Sequence, residues 1–115
     1  NGTVPLFYEF TTTAPTVPVI SISTEVPDKY DLMQNYPNPF NPVTNIRFKL
    51  PERSFVTVKV FNILGQLVKT IINNERLDVG THQTSFNAGS LASGIYFYTI
   101  QTEKYSQTKR MVLLK

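Results

Sequence analysis

Three prolines fall within six residues of the segment Asn35-Tyr36-Pro37-Asn38-Pro39-Phe40-Asn41-Pro42-Val43-Thr44, and nothing else constrains the fold as much. Each proline removes a backbone donor and fixes φ, so the segment belongs to neither a helix nor a sheet interior. Asn35, Asn38 and Asn41 can bond their own backbone in local turns, which suits the same kinked path. Directly afterwards the chain alternates, with Ile46, Phe48 and Leu50 on one side and Arg47 and Lys49 on the other. A stiff aromatic-proline clamp therefore leads into a half-buried strand.

The same period of two recurs downstream. Val56, Val58 and Val60 alternate with Thr57 and Lys59, and Ile95-Tyr96-Phe97-Tyr98-Thr99-Ile100 is rich in strand formers. Alternation and turn residues predict six strands, over about 44–50, 54–62, 66–72, 81–87, 95–102 and 106–114. Gly65 is expected to supply positive φ in the turn after Asn62. Asn73-Asn74-Glu75-Arg76 reads as a polar loop. Leu67–Ile72 is apolar on both faces, as in a central strand or an edge that another chain covers. Short strands with turn signals every ten or so residues predict an all-β, two-layer antiparallel β-sandwich of immunoglobulin-like or fibronectin-III-like arrangement. Sequential hairpins with Greek-key elements are the expected topology.

Residues 1–34 read as an extended, β-prone leader, and residues 35–115 as the sandwich. The leader contains the spacer Thr11–Pro18, the alternating run Val19–Ser23, and an aromatic run with Val4, Leu6, Phe7, Tyr8 and Phe10. That run is too apolar for a linker and too short to fold alone, so it is a candidate for strand donation to a neighbouring sheet. The N-terminal residues do not form a signal peptide. The expectation is that any leader has been removed, or that the chain begins inside a longer polypeptide. No apolar run is long enough to span a bilayer as a helix.

Composition narrows the chemistry. The absence of cysteine excludes disulfides, thiol catalysis and thiolate metal sites. His82 is the sole histidine, so no two-histidine metal site can form within one chain. It is expected as a half-exposed strand side chain making one hydrogen bond. Glu75 and Asp78 are the nearest pair for a cation, but they read as surface charges flanking a turn. No nucleophile elbow, phosphate loop or dinucleotide pattern occurs. The net charge is +3, with all eleven bases against five acids after residue 28. Those bases stand singly at alternate positions, as on a solvated face, and do not suggest nucleic-acid binding. Exposed Tyr96 or Tyr98 could stack on sugar rings, which makes a carbohydrate-binding module one alternative. Asn1-Gly2-Thr3 is an N-glycosylation sequon of little weight.

With those residues in view, the clamp resembles the opening of the type A C-terminal sorting domain of the type IX secretion system of Bacteroidetes and their relatives. The resemblance is carried by Tyr36, Pro37, Asn38, Pro39, Phe40, Asn41 and Pro42, followed by Thr44–Phe48. Val60–Gln66, with Gly65, is similar to the family's aromatic–Asp–x–x–Gly–Arg turn. Gly80-Thr81-His82 is similar to its Gly–x–His, and Ser93-Gly94-Ile95-Tyr96 to its Ser–Gly–hydrophobic–Tyr strand. Lys109, Arg110, Met111, Val112, Leu113, Leu114 and Lys115 resemble its basic–hydrophobic close. Asn62, Gln66 and Phe86 stand where the family usually has Asp, Arg and often Trp.

The resemblance covers roughly residues 27–115. It implies a non-catalytic, secreted β-sandwich without cofactor or metal, exported across the outer membrane to the cell surface or beyond. It also implies recognition of Lys109–Lys115 by the outer-membrane secretion machinery and, in the family, surface attachment of the passenger. A C-terminal strand at a sheet edge would suit this, offering unpaired backbone groups to a receptor. A filament subunit assembled by N-terminal strand donation is the alternative, since head-to-tail donation does not close.

Overall fold

Alternation is realised as strands throughout the computed structural model, which describes residues 19–115. The strands are β1 (Ile20–Ser23), β2 (Asp31–Leu32), β3 (Val43–Leu50), β4 (Ser54–Asn62), β5 (Leu67–Leu77), β6 (Gly80–Asn87), β7 (Gly94–Gln101) and β8 (Ser106–Leu113). They form two open antiparallel sheets of four, ordered β1-β6-β3-β2 and β5-β4-β7-β8. The architecture is the expected all-β two-layer sandwich. Sequential neighbours pair in β2–β3, β4–β5 and β7–β8, while β3 pairs with β6 and β4 with β7.

The period of two decides which side chains enter the core. On β3, Ile46, Phe48 and Leu50 are fully buried, and on β4 so are Val56, Val58 and Val60. β7 adds Tyr96, Tyr98 and Ile100, and β8 adds Met111 and Leu113. Burying each such aliphatic or aromatic side chain is worth about 1.5–3 kcal/mol. Phe40 of the clamp enters the same core and lies against Phe86, ring centroids 6.3 Å apart. The clamp is thus anchored by an aromatic plug, and its three X–Pro bonds are cis.

Tyr98 ties the clamp to the opposite sheet. Its hydroxyl donates to Met33 O at 2.7 Å and accepts the Asn35 N–H at 2.8 Å. The Asn35 side chain in turn donates to Thr44 Oγ1 and Pro37 O, so a buried polar knot holds the clamp where strand pairing cannot. At the β4–β5 turn Gly65 has φ +82°, as expected, and Asn62 Oδ1 accepts the N–H groups of Leu64 and Gln66. Asn62 therefore performs the capping its position requires without a carboxylate.

Several expectations change. Asn73–Arg76 is no loop: β5 runs on through it, pairing Glu75 with Val56 and Arg76 with Phe55. Its polar side chains are exposed because β5 is an edge strand, and backbone bonds hold it there without apolar alternation. Leu67–Ile72 belongs to that edge strand and is not central. Ile20–Ser23 and Asp31–Leu32 both join a sheet of their own chain, on β6 and β3. His82 is buried, 5% exposed, and stacks on its cross-strand partner Phe48. It does make a single hydrogen bond, with Nε2–H donating to Asp78 O at 2.7 Å. Gly80, beside it, has φ +134°, and a Cβ there would lie 2.4 Å from Ser23 O.

Candidate functional site

β8 ends its sheet, so one side of its backbone has no strand partner among the described residues. The clamp fills that side. Gln34 Nε2 donates to Arg110 O at 2.8 Å, and the Val112 N–H donates to Asn38 Oδ1 at 2.9 Å. The Phe40 N–H donates to Val112 O and the Leu114 N–H to Phe40 O, both at 3.0 Å. Phe40 and Leu113 thereby form a parallel bridge. Nearer the start of β8, the Leu32 N–H reaches Gln107 Oε1 at 3.4 Å. The expectation of an edge offering unpaired backbone groups is therefore corrected over Arg110–Leu114. The reason lies in the prolines, which leave the clamp unable to form a strand, so that it bonds instead through selected main-chain groups and the Asn38 and Gln34 side chains.

The carboxyl-terminal residues divide by face. Met111 and Leu113 are core, Lys109 and Val112 are half-buried, and Arg110, Leu114 and Lys115 are exposed. Lys115 is held by Ser93 Oγ, which accepts its N–H at 2.9 Å, and by Gly89 O, which accepts its ammonium at 2.7 Å. The signature residues converge on the same end of the sandwich. Gly94 pairs with Leu113, Tyr96 lies between Asn62 and Met111, and Gly65 closes the turn that follows Asn62. Tyr36, Pro37, Asn38, Pro39, Asn41 and Pro42 are exposed around the Phe40 plug. Val4, Leu6, Phe7, Tyr8 and Phe10 lie outside the described residues.

Tyr96 and Tyr98 offer no sugar platform, since they are 7% and 0% exposed. The Tyr96 hydroxyl donates to Ala92 O at 2.7 Å. Burial pushes the Tyr98 hydroxyl up to about 12, against a smaller opposing pull from the Asn35 N–H. Phe97, between them, is the residue that faces outward. Among the described residues no group of three histidine or acidic side chains comes together to hold a metal. Asp78 instead pairs with Arg53 at 3.1 Å, away from Glu75.

Charge is sorted along the strand axis. Every acid among the described residues sits in or beside the connections at one end: Glu25, Asp28 and Asp31 before β3, Glu52 after it, Glu75 and Asp78 around the β5–β6 turn, and Glu103 in the β7–β8 turn. Five bases share that end, among them Lys104, which pairs with Glu52 at 3.1 Å. The rest of the sandwich carries Arg47, Lys59, Lys69, Lys109, Arg110 and Lys115 and, among the described residues, no acid. Alternate strand positions hid this sorting from the sequence, because it depends on which turns share an end.

The fold defines a β-sandwich module whose carboxyl-terminal strand is bolted to an aromatic-proline clamp at a basic end. The model of the secretion system C-terminal sorting domain matches residues 34–114, and the chain belongs to that family, the sorting domains of type IX secretion. Comparison with the curated proteins finds no match. Membership implies recognition by the secretion machinery and export across the outer membrane, towards the cell surface or extracellular space. The family is a secretion signal, not a catalyst. No helix among the described residues is long and apolar enough to cross a membrane.

Proposed function

We propose that residues 35–115 form the sorting module of an exported polypeptide, with β1 and β2 of the preceding leader completing one of its sheets. The machinery reads the exposed side chains of the carboxyl-terminal segment Lys109–Lys115, and the passenger is then attached at the cell surface. The observation that carries this reading is the family match over 34–114, together with the convergence of the signature residues on β8. Because the clamp occupies the outer edge of β8, recognition works through Arg110, Leu114 and Lys115 and not through strand addition. Basic side chains beside an exposed leucine suit a receptor surface of opposite charge.

The test is to fuse the full chain to the C-terminus of a periplasmic reporter in a host with an active type IX system. Reporter outside the cell, and its retention in a secretion-deficient host, is the expected result. Retention in both hosts sinks the reading.

A second reading, strand donation into a filament, has one supporting observation. β5, eleven residues long, ends its sheet with no outer partner among the described residues. Sedimentation of the purified full chain tests it: a monomer at micromolar concentration rejects the filament.

A further inference from the structure

One row of side chains crosses the outer face of the β5-β4-β7-β8 sheet. Leu67 lies abreast of Phe61, Phe61 of Phe97, and Phe97 of Arg110, one residue from each strand. One step towards the clamp end, Ile95 pairs with Val112 on the same face. Leu67 is 54% and Ile95 36% exposed, and Phe61, Phe97 and Val112 are only half-buried. The inner-facing neighbours Val58, Val60, Tyr96 and Tyr98 already fill the core, so this apolar row has no part in closing the sandwich. Exposed apolar rows of this kind mark interaction sites.

The charges around the row have one sign. Lys59 stands on the same face of β4, two residues from Phe61, Arg110 ends the row on β8, and no acid among the described residues lies on this half of the sandwich. A face-to-face second copy would set these bases against their like, which is unfavourable. A complementary occupant has an apolar centre ringed by carboxylates. The row is also continuous with the carboxyl-terminal segment, because Arg110 and Val112 belong to both.

We propose that the Leu67–Phe61–Phe97–Arg110 row is the face on which the secretion machinery docks, through a partner protein presenting an apolar ridge with an acidic rim. This rests on the sorting role and extends it: the recognised surface reaches across the sheet to β5, more than forty residues upstream of the carboxyl-terminal segment. Leu67 and Lys59 contribute to it although they lie outside that segment. They fix the orientation in which β8 is presented.

The experiment uses the reporter fusion of the full chain, with Leu67→Asp, Lys59→Glu and their double variant, and with Lys104→Glu at the opposite end as control. Export is expected to fall about tenfold for Leu67→Asp and severalfold for Lys59→Glu, while Lys104→Glu exports normally. Thermal melts of the purified variants establish that each remains folded. If Leu67→Asp melts early, Leu67→Ser combined with Lys59→Glu takes its place. Folded variants exported as well as wild type overturn the docking face while leaving the sorting role intact. Failure of the wild-type fusion to be exported overturns the sorting role itself. Loss of export in Lys104→Glu as well also rejects the face, since the effect would then follow net charge and not position.

Discussion

Asn38 accepts the Val112 N–H through its side chain, joining residues 74 positions apart at 2.9 Å. Asn38 is flanked by two prolines, so its backbone is in no position to run as a strand, and its carboxamide supplies the bond that a neighbouring strand would otherwise make. With Gln34 and Phe40 it turns a sheet edge, ordinarily a hazard for unwanted pairing, into an internal joint.

Replacing Asn38 with Ala removes that acceptor at an exposed position and should cost about 1 kcal/mol. The local signature is more telling than the global one. Amide exchange at Val112 should accelerate markedly while exchange at Val58 and Val60 stays slow, as read by hydrogen exchange with NMR detection. Unchanged protection at Val112 would show that the joint does not depend on Asn38.

Tyr98→Phe leaves the Asn35 N–H and the Met33 C=O without their partner in the interior, and should destabilise the domain by about 2–3 kcal/mol in urea unfolding. Tyr96→Phe removes only a bond to Ala92 O and should cost about 1 kcal/mol. Equal losses in the two variants would contradict a special role for the Tyr98 knot.

Alkaline stability follows from the same hydroxyl. The folded state keeps the Tyr98 proton up to about pH 12, whereas an exposed tyrosine loses it near 10. At this group the folded chain therefore binds more protons than the unfolded chain across that window, so the Tyr98 contribution to stability is constant below pH 10 and falls as pH climbs from 10 towards 12. Phenolate absorbance should show the Tyr98 hydroxyl titrating late, together with unfolding. The Tyr98→Phe variant should lack that steep alkaline loss.

Gly80→Ala places a Cβ 2.4 Å from Ser23 O at a φ of +134°, so backbone must shift and β1 should loosen from β6. A loss of about 2–3 kcal/mol is expected from strain and lost pairing. Gly65→Ala has open space around it and should cost only about 1 kcal/mol, from its positive φ alone. Comparing their urea midpoints separates crowding from backbone preference.

Much of the sandwich could be read before folding, because a half-buried strand writes its own period. Val56, Val58 and Val60 announce β4, and Ile46, Phe48 and Leu50 announce β3. The end of β5 gave no such sign: Glu75 and Arg76 pair with Val56 and Phe55, and the Asn74 N–H donates to Thr57 Oγ1, at an exposed edge where side chains are free to be polar. Burial of His82 was equally silent, since it depends on Phe48 lying directly across the sheet. The proposed recognition segment Lys109–Lys115 rests on its resemblance to a family ending. Its covered edge was not legible, because the bond from Asn38 spans most of the sandwich sequence. The Leu67–Phe61–Phe97–Arg110 row was hidden for a related reason, as it exists only once the register of four strands is fixed.

Met111 and Leu113 sit wholly inside the molecule while their neighbours Arg110 and Leu114 face outward. A ribosomal product cut short before Met111 loses two interior side chains, the seat of Phe40 and the proposed export signal in one stroke. Under that proposal, copies lacking these residues lose their packing and their address together.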